Sequence, residues 1–330
     1  MPAIKILTEA DLRALVPLDL AAVDCVENGF RALAGGKVVM PPILSMPIHA
    51  HNGEIDVKTA YVPGLSSFAV KMSPGFFDNP ALGLPSTSGL MVLFSATTGQ
   101  LEALLLDNGY LTDVRTAAAG AVAARYLARE DATTACVIGA GAQARLQLKA
   151  LALVRGLTSA TLWARDAGRA NVAANALSEE MGIKVSAVTD PGPAVSQADV
   201  VITTTPSATP LIKAEWLRPG QHVTAMGSDQ DHKGELEPAC LKRADLYVPD
   251  RQSQTALLGE LRSAVEAGAI PGDQRFAELG DIVAGVAPGR SGADALTIAD
   301  LTGTGVQDTA IATFAREAAE QQGTGRVFRN

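Results

Sequence analysis

The run Thr134-Ala135-Cys136-Val137-Ile138-Gly139-Ala140-Gly141-Ala142-Gln143-Ala144 constrains this chain most, because a short apolar strand passes directly into Gly139-x-Gly141-x-x-Ala144 and then into a helical pattern. Such a turn fits a dinucleotide. Gly139 permits the tight strand-to-helix turn, Gly141 lets the backbone approach a pyrophosphate with no Cβ in the way, and Ala144 is small enough for close helix-strand packing. The free N–H groups at the helix N-terminus would receive the diphosphate. More than a hundred residues precede the turn, so another unit must be built first.

The 330 residues suffice for two domains, and a chain with 47% hydrophobic and 19% charged residues is expected to be globular. A net charge of −8 and the lack of any Lys/Arg-rich block argue against nucleic acid or an anionic membrane as partner. A small metabolite is the expected ligand. Cys25, Cys136 and Cys240 stand far apart, as buried thiols in a reducing compartment would. The acidic start, with Glu9, Asp11, Asp19, Asp24 and Glu27, does not suit a signal peptide, and no apolar run is long enough to span a bilayer, so a cytoplasmic protein is expected.

Along the chain, Thr8 reads as a helix cap, and a second helix covers Leu20 to Leu33 before Gly35-Gly36. The segments 54–61, 67–73, 90–95 and 101–107 read as an antiparallel meander punctuated by Pro and Gly. Thr112-Asp113 is expected to cap an Ala-rich helix running to about Ala128. From Thr134, strand signals at 135–138, 160–164, 184–188, 200–204, 222–226 and 246–248 alternate with helical patterns. This predicts a doubly wound parallel sheet. A further strand at 295–298 precedes a last helix, from about Val306 to Ala319, which would return to the first domain. The fold class expected is therefore α/β: a Rossmann doubly wound parallel sheet over residues 114–305, plus an α+β domain formed by residues 1–113 and 306–330.

Several side chains suggest chemistry. The tip of the second Rossmann strand carries Arg165 and Asp166, of which Asp166 suits the ribose hydroxyls of NAD and Arg165 the extra phosphate of NADP. Both could equally be solvated turn residues. Thr204 and Thr205 end the fourth strand, where a loop borders the nicotinamide side, although a Thr-rich strand end before Pro206 has the same appearance. Lys71 in Phe68-Ala69-Val70-Lys71-Met72 would share the face of Ala69, which is costly without an anion or ion-pair partner; Lys58 is a similar, milder case, and either could instead be an edge-strand lysine on a wet face. Arg115, placed in the first turn of the Ala-rich helix, would oppose the helix dipole unless an anion, or Asp107 or Asp113, met it. Asp229 follows Gly227-Ser228 at the carboxyl end of a parallel strand, where it could move a proton or stabilise an iminium. Asp231, His232, Lys233 and Glu235 are nearby alternatives. The four histidines form no metal-binding pattern, so no metal is expected.

Together, Lys71, the run Leu106-Asp107-x-Gly109-x-Leu111-Thr112-x-x-Arg115-Thr116-Ala117-Ala118, the Gly139 turn and Gly227-x-Asp229-x-x-x-Lys233-x-Glu235-Leu236 resemble the ornithine cyclodeaminase/mu-crystallin family over nearly the whole chain. The resemblance implies a homodimer whose first domain supplies the subunit interface and substrate pocket, with NAD(P) on the Rossmann domain. It implies Lys71 and Arg115 as holders of a substrate carboxylate and Asp229 as a participant in amine or imine chemistry. Gly139, Ala140, Gly141, Ala142, Gln143, Arg165, Asp166, Thr204, Thr205 and Ser228 would then border the cofactor, expected to be NAD, with NADP the alternative. Many members carry an arginine after the early Pro-Pro, but this chain reads Pro41-Pro42-Ile43. Lys58 and the Phe76-Phe77-Asp78-Asn79-Pro80 loop look instead like the subgroup of iminosuccinate reductases and ectoine-utilisation proteins. The expectation is an NAD(P)H-dependent imine reductase acting on a small anionic imino acid, iminosuccinate first, with Lys58 on the distal carboxylate. A cyclodeaminase, an alanine dehydrogenase or a mu-crystallin-like binding protein are the alternatives.

Overall fold

A computed structural model describes residues 3–329, which fall into two compact units, residues 3–115 with 304–329 and residues 116–303. In the first unit, β1 (Ala3–Thr8) leads into α1 (Glu9–Leu15), where the Thr8 hydroxyl accepts from the Asp11 amide while the Asp11 carboxylate accepts from the Thr8 amide, a capping box. The amphipathic α2 (Leu20–Ala34) is capped by Asp19 and buries Val23, Val26, Phe30 and Leu33. The chain then runs through β2 (Leu44–Ile48), β3 (Gly53–Ala60), β4 (Ser67–Phe76), β5 (Leu90–Ser95) and β6 (Leu101–Leu106) to α3 (Tyr110–Leu127). The four strands β3 to β6 form the expected antiparallel meander.

In the second unit, β7 (Thr134–Ile138), α4 (Ala142–Val154), β8 (Ser159–Trp163), α5 (Ala167–Met181), β9 (Lys184–Val188), α6 (Pro191–Gln197), β10 (Val200–Thr203) and β11 (His222–Ala225) alternate as predicted. They are followed by α7 (Pro238–Arg243), β12 (Leu246–Pro249), α8 (Gln252–Leu258), α9 (Glu260–Glu266), α10 (Leu279–Val283) and β13 (Thr297–Asp300). All seven strands are parallel, in the order β9-β8-β7-β10-β11-β13-β12. The fold class is the expected doubly wound sheet, with its switch point between β7 and β10. Strand β13 inserts between β11 and β12, which makes Asp300 the end of a central strand. Central strands such as β10 and β11 are buried along their whole length, as parallel strands covered on both faces must be.

The first unit is completed by α11 (Gly305–Gln322) and β14 (Arg326–Arg329). Its sheet runs β14-β1-β6-β5-β4-β3-β2, with only β1 and β6 parallel. Helix α11 lies on β3 and β4 so closely that a Cβ at Gly305 would come within 2.4 Å of the Thr59 carbonyl oxygen. The Thr309 hydroxyl accepts from the Ala69 amide and donates to the Ala60 carbonyl, tying helix to sheet. Leu7, Leu12, Met91, Leu93, Leu105 and Ile311 fill the core between them. Three strands, β1, β2 and β14, went unpredicted.

The Ala-rich helix begins at Tyr110, not after Thr112-Asp113, and the Asp107 carboxylate accepts from the Leu111 amide at 2.8 Å. Asn108 and Gly109 take positive φ to make that turn. Arg115 therefore lies in the second turn, where the helix dipole argues less strongly for an anion.

Candidate functional site

In the first unit, Lys58 on β3 and Lys71 on β4 are direct cross-strand partners. They are 7% and 2% exposed. Like charges opposite one another repel, and burial adds a desolvation cost, so the pair needs an anion. Asp308 on α11 is one: its Oδ2 lies 3.3 Å from Lys71 Nζ and its Oδ1 2.9 Å from Arg115 Nε. Arg115 Nη1 also donates to Gln307 Oε1 at 2.9 Å. Arg115 thus meets Asp308, rather than Asp107 or Asp113. Sequence reasoning overlooked Asp308 and Gln307, although two adjacent polar residues between Val306 and Ala310-Ile311 were a usable signal.

Burial pushes the Lys71 ammonium down to about 7; Asp308 opposes this, while Arg115 and Lys58 reinforce it. Burial likewise raises the Asp107 carboxyl to about 6, with Lys71 pulling the other way. Lys71 and Arg115 thus share the Asp308 carboxylate, with Lys58 directly across from Lys71 and Asp107 close enough to Lys71 to feel its charge. Gln307 Nε2, Thr304 Oγ1 and Asp107 Oδ1 are buried without a hydrogen-bond partner among the described residues. Buried polar atoms are seldom left so, and a spare donor on Gln307, which already touches Arg115, suits a carboxylate ligand.

In the second unit, Gly139 has φ 137°, and a Cβ there would come within 2.3 Å of Thr204 Oγ1. Only glycine fits. Gly141, by contrast, has φ −85°, and a Cβ there would meet no protein atom within 4 Å. The protein's own packing does not require glycine at 141, whereas a diphosphate on the α4 N-terminus would. No side chain caps α4, and Gly141 and Ala142 are exposed, with Ala140 and Gln143 half-buried beside them. These residues fit a dinucleotide. At the tip of β8, Arg165 and Asp166 are both exposed, and Asp166 caps α5 by accepting from the Arg169 amide at 3.0 Å.

The neighbouring loops are tied internally. Thr204 donates its hydroxyl to the Ile138 carbonyl, and Ser228 donates to the carbonyls of Lys233 and Leu258. Thr205 donates both its amide and its hydroxyl to Glu235. Asp229 is half-exposed and accepts from Lys233 Nζ at 2.7 Å. Asp231 and His232 are exposed. Glu235, Glu260 and Asp300 are buried carboxylates at the carboxyl ends of the strands, and only Glu235 was noticed in the sequence. Burial raises the Glu260 carboxyl to about 8, helped by Asp300, and Asp300 to about 7, helped by Asp250.

A carboxyl whose pKa rises on folding stabilises the fold fully below its unfolded value, here 4.5 for Glu260, and that stability is lost as pH rises through about 8. Glutamine stays neutral. The melting temperature of Glu260→Gln should therefore rise relative to wild type by about 5 °C between pH 5 and pH 9, on top of a pH-independent loss from placing Nε2 against one of the two backbone N–H groups that Glu260 accepts from. Parallel melting curves across that range check this, and a constant difference would contradict it.

A parallel sheet with a glycine turn at the switch point defines a dinucleotide-fold protein. The sequence profile of the ornithine cyclodeaminase/mu-crystallin family matches residues 4–323, and the chain belongs to that family. A putative dehydrogenase of Rhizobium meliloti is 62% identical, with 99% of each chain covered. Among solved structures, an archaeal alanine dehydrogenase dimer with bound NAD is 33% identical (TM-score 0.92, 99% of each chain covered). The Δ1-pyrroline-2-carboxylate reductase of Thermococcus litoralis, in complex with NADH and L-proline, is 30% identical (TM-score 0.93, 98% of this chain and 99% of that one). The iminosuccinate reductase of Paracoccus denitrificans, in complex with NAD+, is also 30% identical (TM-score 0.91, 99% and 100%).

Proposed function

We propose that the protein is an NAD-dependent oxidoreductase acting on C–N bonds, whose preferred reaction is reduction of iminosuccinate to aspartate. The enzyme class and the cofactor are supported by the bound NAD or NADH of three structural relatives. The substrate is supported chiefly by one observation: Lys58 and Lys71 are buried directly across from each other, with Arg115 in the same cluster. One carboxylate needs no more than Lys71 and Arg115, and Lys58, directly across the sheet from Lys71, stands where a second carboxylate could be met.

In this scheme Lys71 and Arg115 hold the α-carboxylate and Lys58 the distal one. Asp308 keeps Lys71 and Arg115 aligned when substrate is absent. NADH would supply a hydride to the imine carbon. Asp229 would hold or relay the proton at the imine nitrogen. Gly139, Ala140, Gly141, Ala142 and Gln143 would hold the diphosphate, Asp166 the adenosine ribose, and Thr204, Thr205 and Ser228 the loops bordering the ring. A homodimer is supported by the dimeric archaeal relative and by the half-exposed apolar face of Phe68, Val70, Val92 and Phe94.

A monocarboxylic imine, as for an alanine dehydrogenase, is the second reading, favoured by the 33% identity to that enzyme. NADH oxidation by purified protein separates the two, with oxaloacetate or pyruvate, each plus ammonia. Dicarboxylate preference is expected, and Lys58→Met should lower kcat/KM for that imine about a hundredfold while changing the monocarboxylate by less than about threefold. Equal loss on both would remove Lys58 from the distal contact. Ornithine conversion without net NADH formation would indicate a cyclodeaminase, and tight NADH binding without turnover a binding protein.

A further inference from the structure

The geometry points to Glu235 as a positioning residue that fixes the two loops after β10 and β11, and so sets the nicotinamide-side geometry of the reductase proposed above, on which this assignment rests. Its Oε1 accepts from the Thr205 amide at 2.6 Å and from the Thr205 hydroxyl at 2.7 Å, and its Oε2 accepts from the Gly227 amide at 2.8 Å. One carboxylate therefore joins the Thr203–Thr205 strand end to the Gly227-Ser228-Asp229 segment. Both loops leave the carboxyl edge of the sheet, where ligands of this fold bind.

Glu235 is itself held from behind. Its own amide donates to Glu260 Oε1 at 2.8 Å and the Leu236 amide to Glu260 Oε2 at 3.2 Å. Glu260 leads α9, whose Leu261 amide donates to Asp300 Oδ2, the oxygen that also accepts from the Tyr247 hydroxyl at 2.7 Å. Glu235, Glu260 and Asp300 are each fully buried. Burying three carboxylates side by side is costly, and a core that needed only packing would be served by apolar side chains. What the carboxylates supply instead is a defined position for loop amides. Residues that act by orienting others are felt mainly in the rate, because a displacement of about 1 Å can cost roughly a hundredfold.

Glu235→Gln tests this. Glutamine can accept from Thr205 through its carbonyl oxygen, but its Nε2 then faces the Gly227 N–H, donor against donor, and that loop is released. Three measurements on the full-length protein are compared. Amide hydrogen exchange without ligand should show the Gly227 segment losing protection. NADH affinity, read by quenching or transfer of its fluorescence, should change by less than about fivefold, since the glycine turn is untouched. The kcat with whichever imine the wild type reduces best should fall at least about thirtyfold. If Glu235→Gln does not fold, Glu235→Asp, which keeps the charge but shortens the reach, is read in the same way. A double-mutant cycle completes the test: Thr205→Val, which removes the hydroxyl donated to Glu235 Oε1, should lower kcat and be non-additive with Glu235→Gln. A lower melting temperature with unchanged exchange at Gly227, or a kcat within twofold of wild type in a folded variant, overturns the assignment. Absence of imine reduction by the wild type would overturn the proposed function, while the exchange and NADH readings would still report whether Glu235 holds the loops.

Discussion

Replacing Arg115 by methionine is expected to lower kcat/KM for the anionic imine about a thousandfold, with NADH affinity kept within about threefold. The guanidinium is 5% exposed and already engages Asp308 and Gln307, so its position is set before any ligand arrives. Removing a pre-positioned charged donor from a desolvated carboxylate contact costs about 4 kcal/mol, a factor of about a thousand. Methionine keeps much of the aliphatic length, so packing along α3 is largely preserved. Lys71→Met should have a similar but smaller effect, because at neutral pH burial leaves the ammonium only partly protonated. Wild-type kcat/KM should also decline as pH rises through about 7, where free-enzyme Lys71 loses its proton. Steady-state rates beside NADH titrations check both variants. Parallel loss of substrate and cofactor affinity would mean that Arg115 acts through the fold.

Alanine at Gly139 and alanine at Gly141 should both abolish useful dinucleotide binding, weakening NADH more than about a hundredfold, yet differ in stability. At 139 the added Cβ would overlap Thr204 Oγ1 and strain a residue at φ 137°, so the melting temperature should fall by about 5 °C or more. At 141 the backbone is already extended and the space open, so the melting temperature should stay within about 1 °C of wild type. Only the ligand would meet that methyl group. Thermal scans with and without NADH distinguish the two: ligand-induced stabilisation should vanish in both variants. Normal NADH binding by Gly141→Ala would remove the diphosphate from this turn.

The parts of the fold that could be read directly were those whose burial repeats along the chain. Period-2 alternation gave β3 to β6, and short apolar runs between helical patterns gave the parallel strands. Strands β1 and β14 escaped because they pair with each other from opposite ends of the chain, and β2, although it pairs with neighbouring β3, because it carries Pro47 at the sheet edge. The start of α3 was misplaced because Asn108 and Gly109 look like a loop, while the capping carboxylate, Asp107, stands just before them. Thr204 and Ser228, both expected beside the cofactor, donate their hydroxyls to carbonyls of the protein itself, a use that no local pattern announces. Glu260 and Asp300 carried no signal at all. A carboxylate looks the same in sequence whether it faces water or three backbone amides.

The sequence by itself determined the glycine turn, the alternation around it, and the fact that a lysine on the Ala69 face of β4 required an anion. Each follows from local geometry, since backbone angles and side-chain direction are fixed within a few residues. The tertiary structure decided which anion that is. Asp308 reaches Lys71 and Arg115 only because α11 returns across β3 and β4, with Gly305 close enough to the Thr59 backbone to seat it. Electrostatic partnership depends on distance in space and on exclusion of water, and neither exists until distant segments pack together.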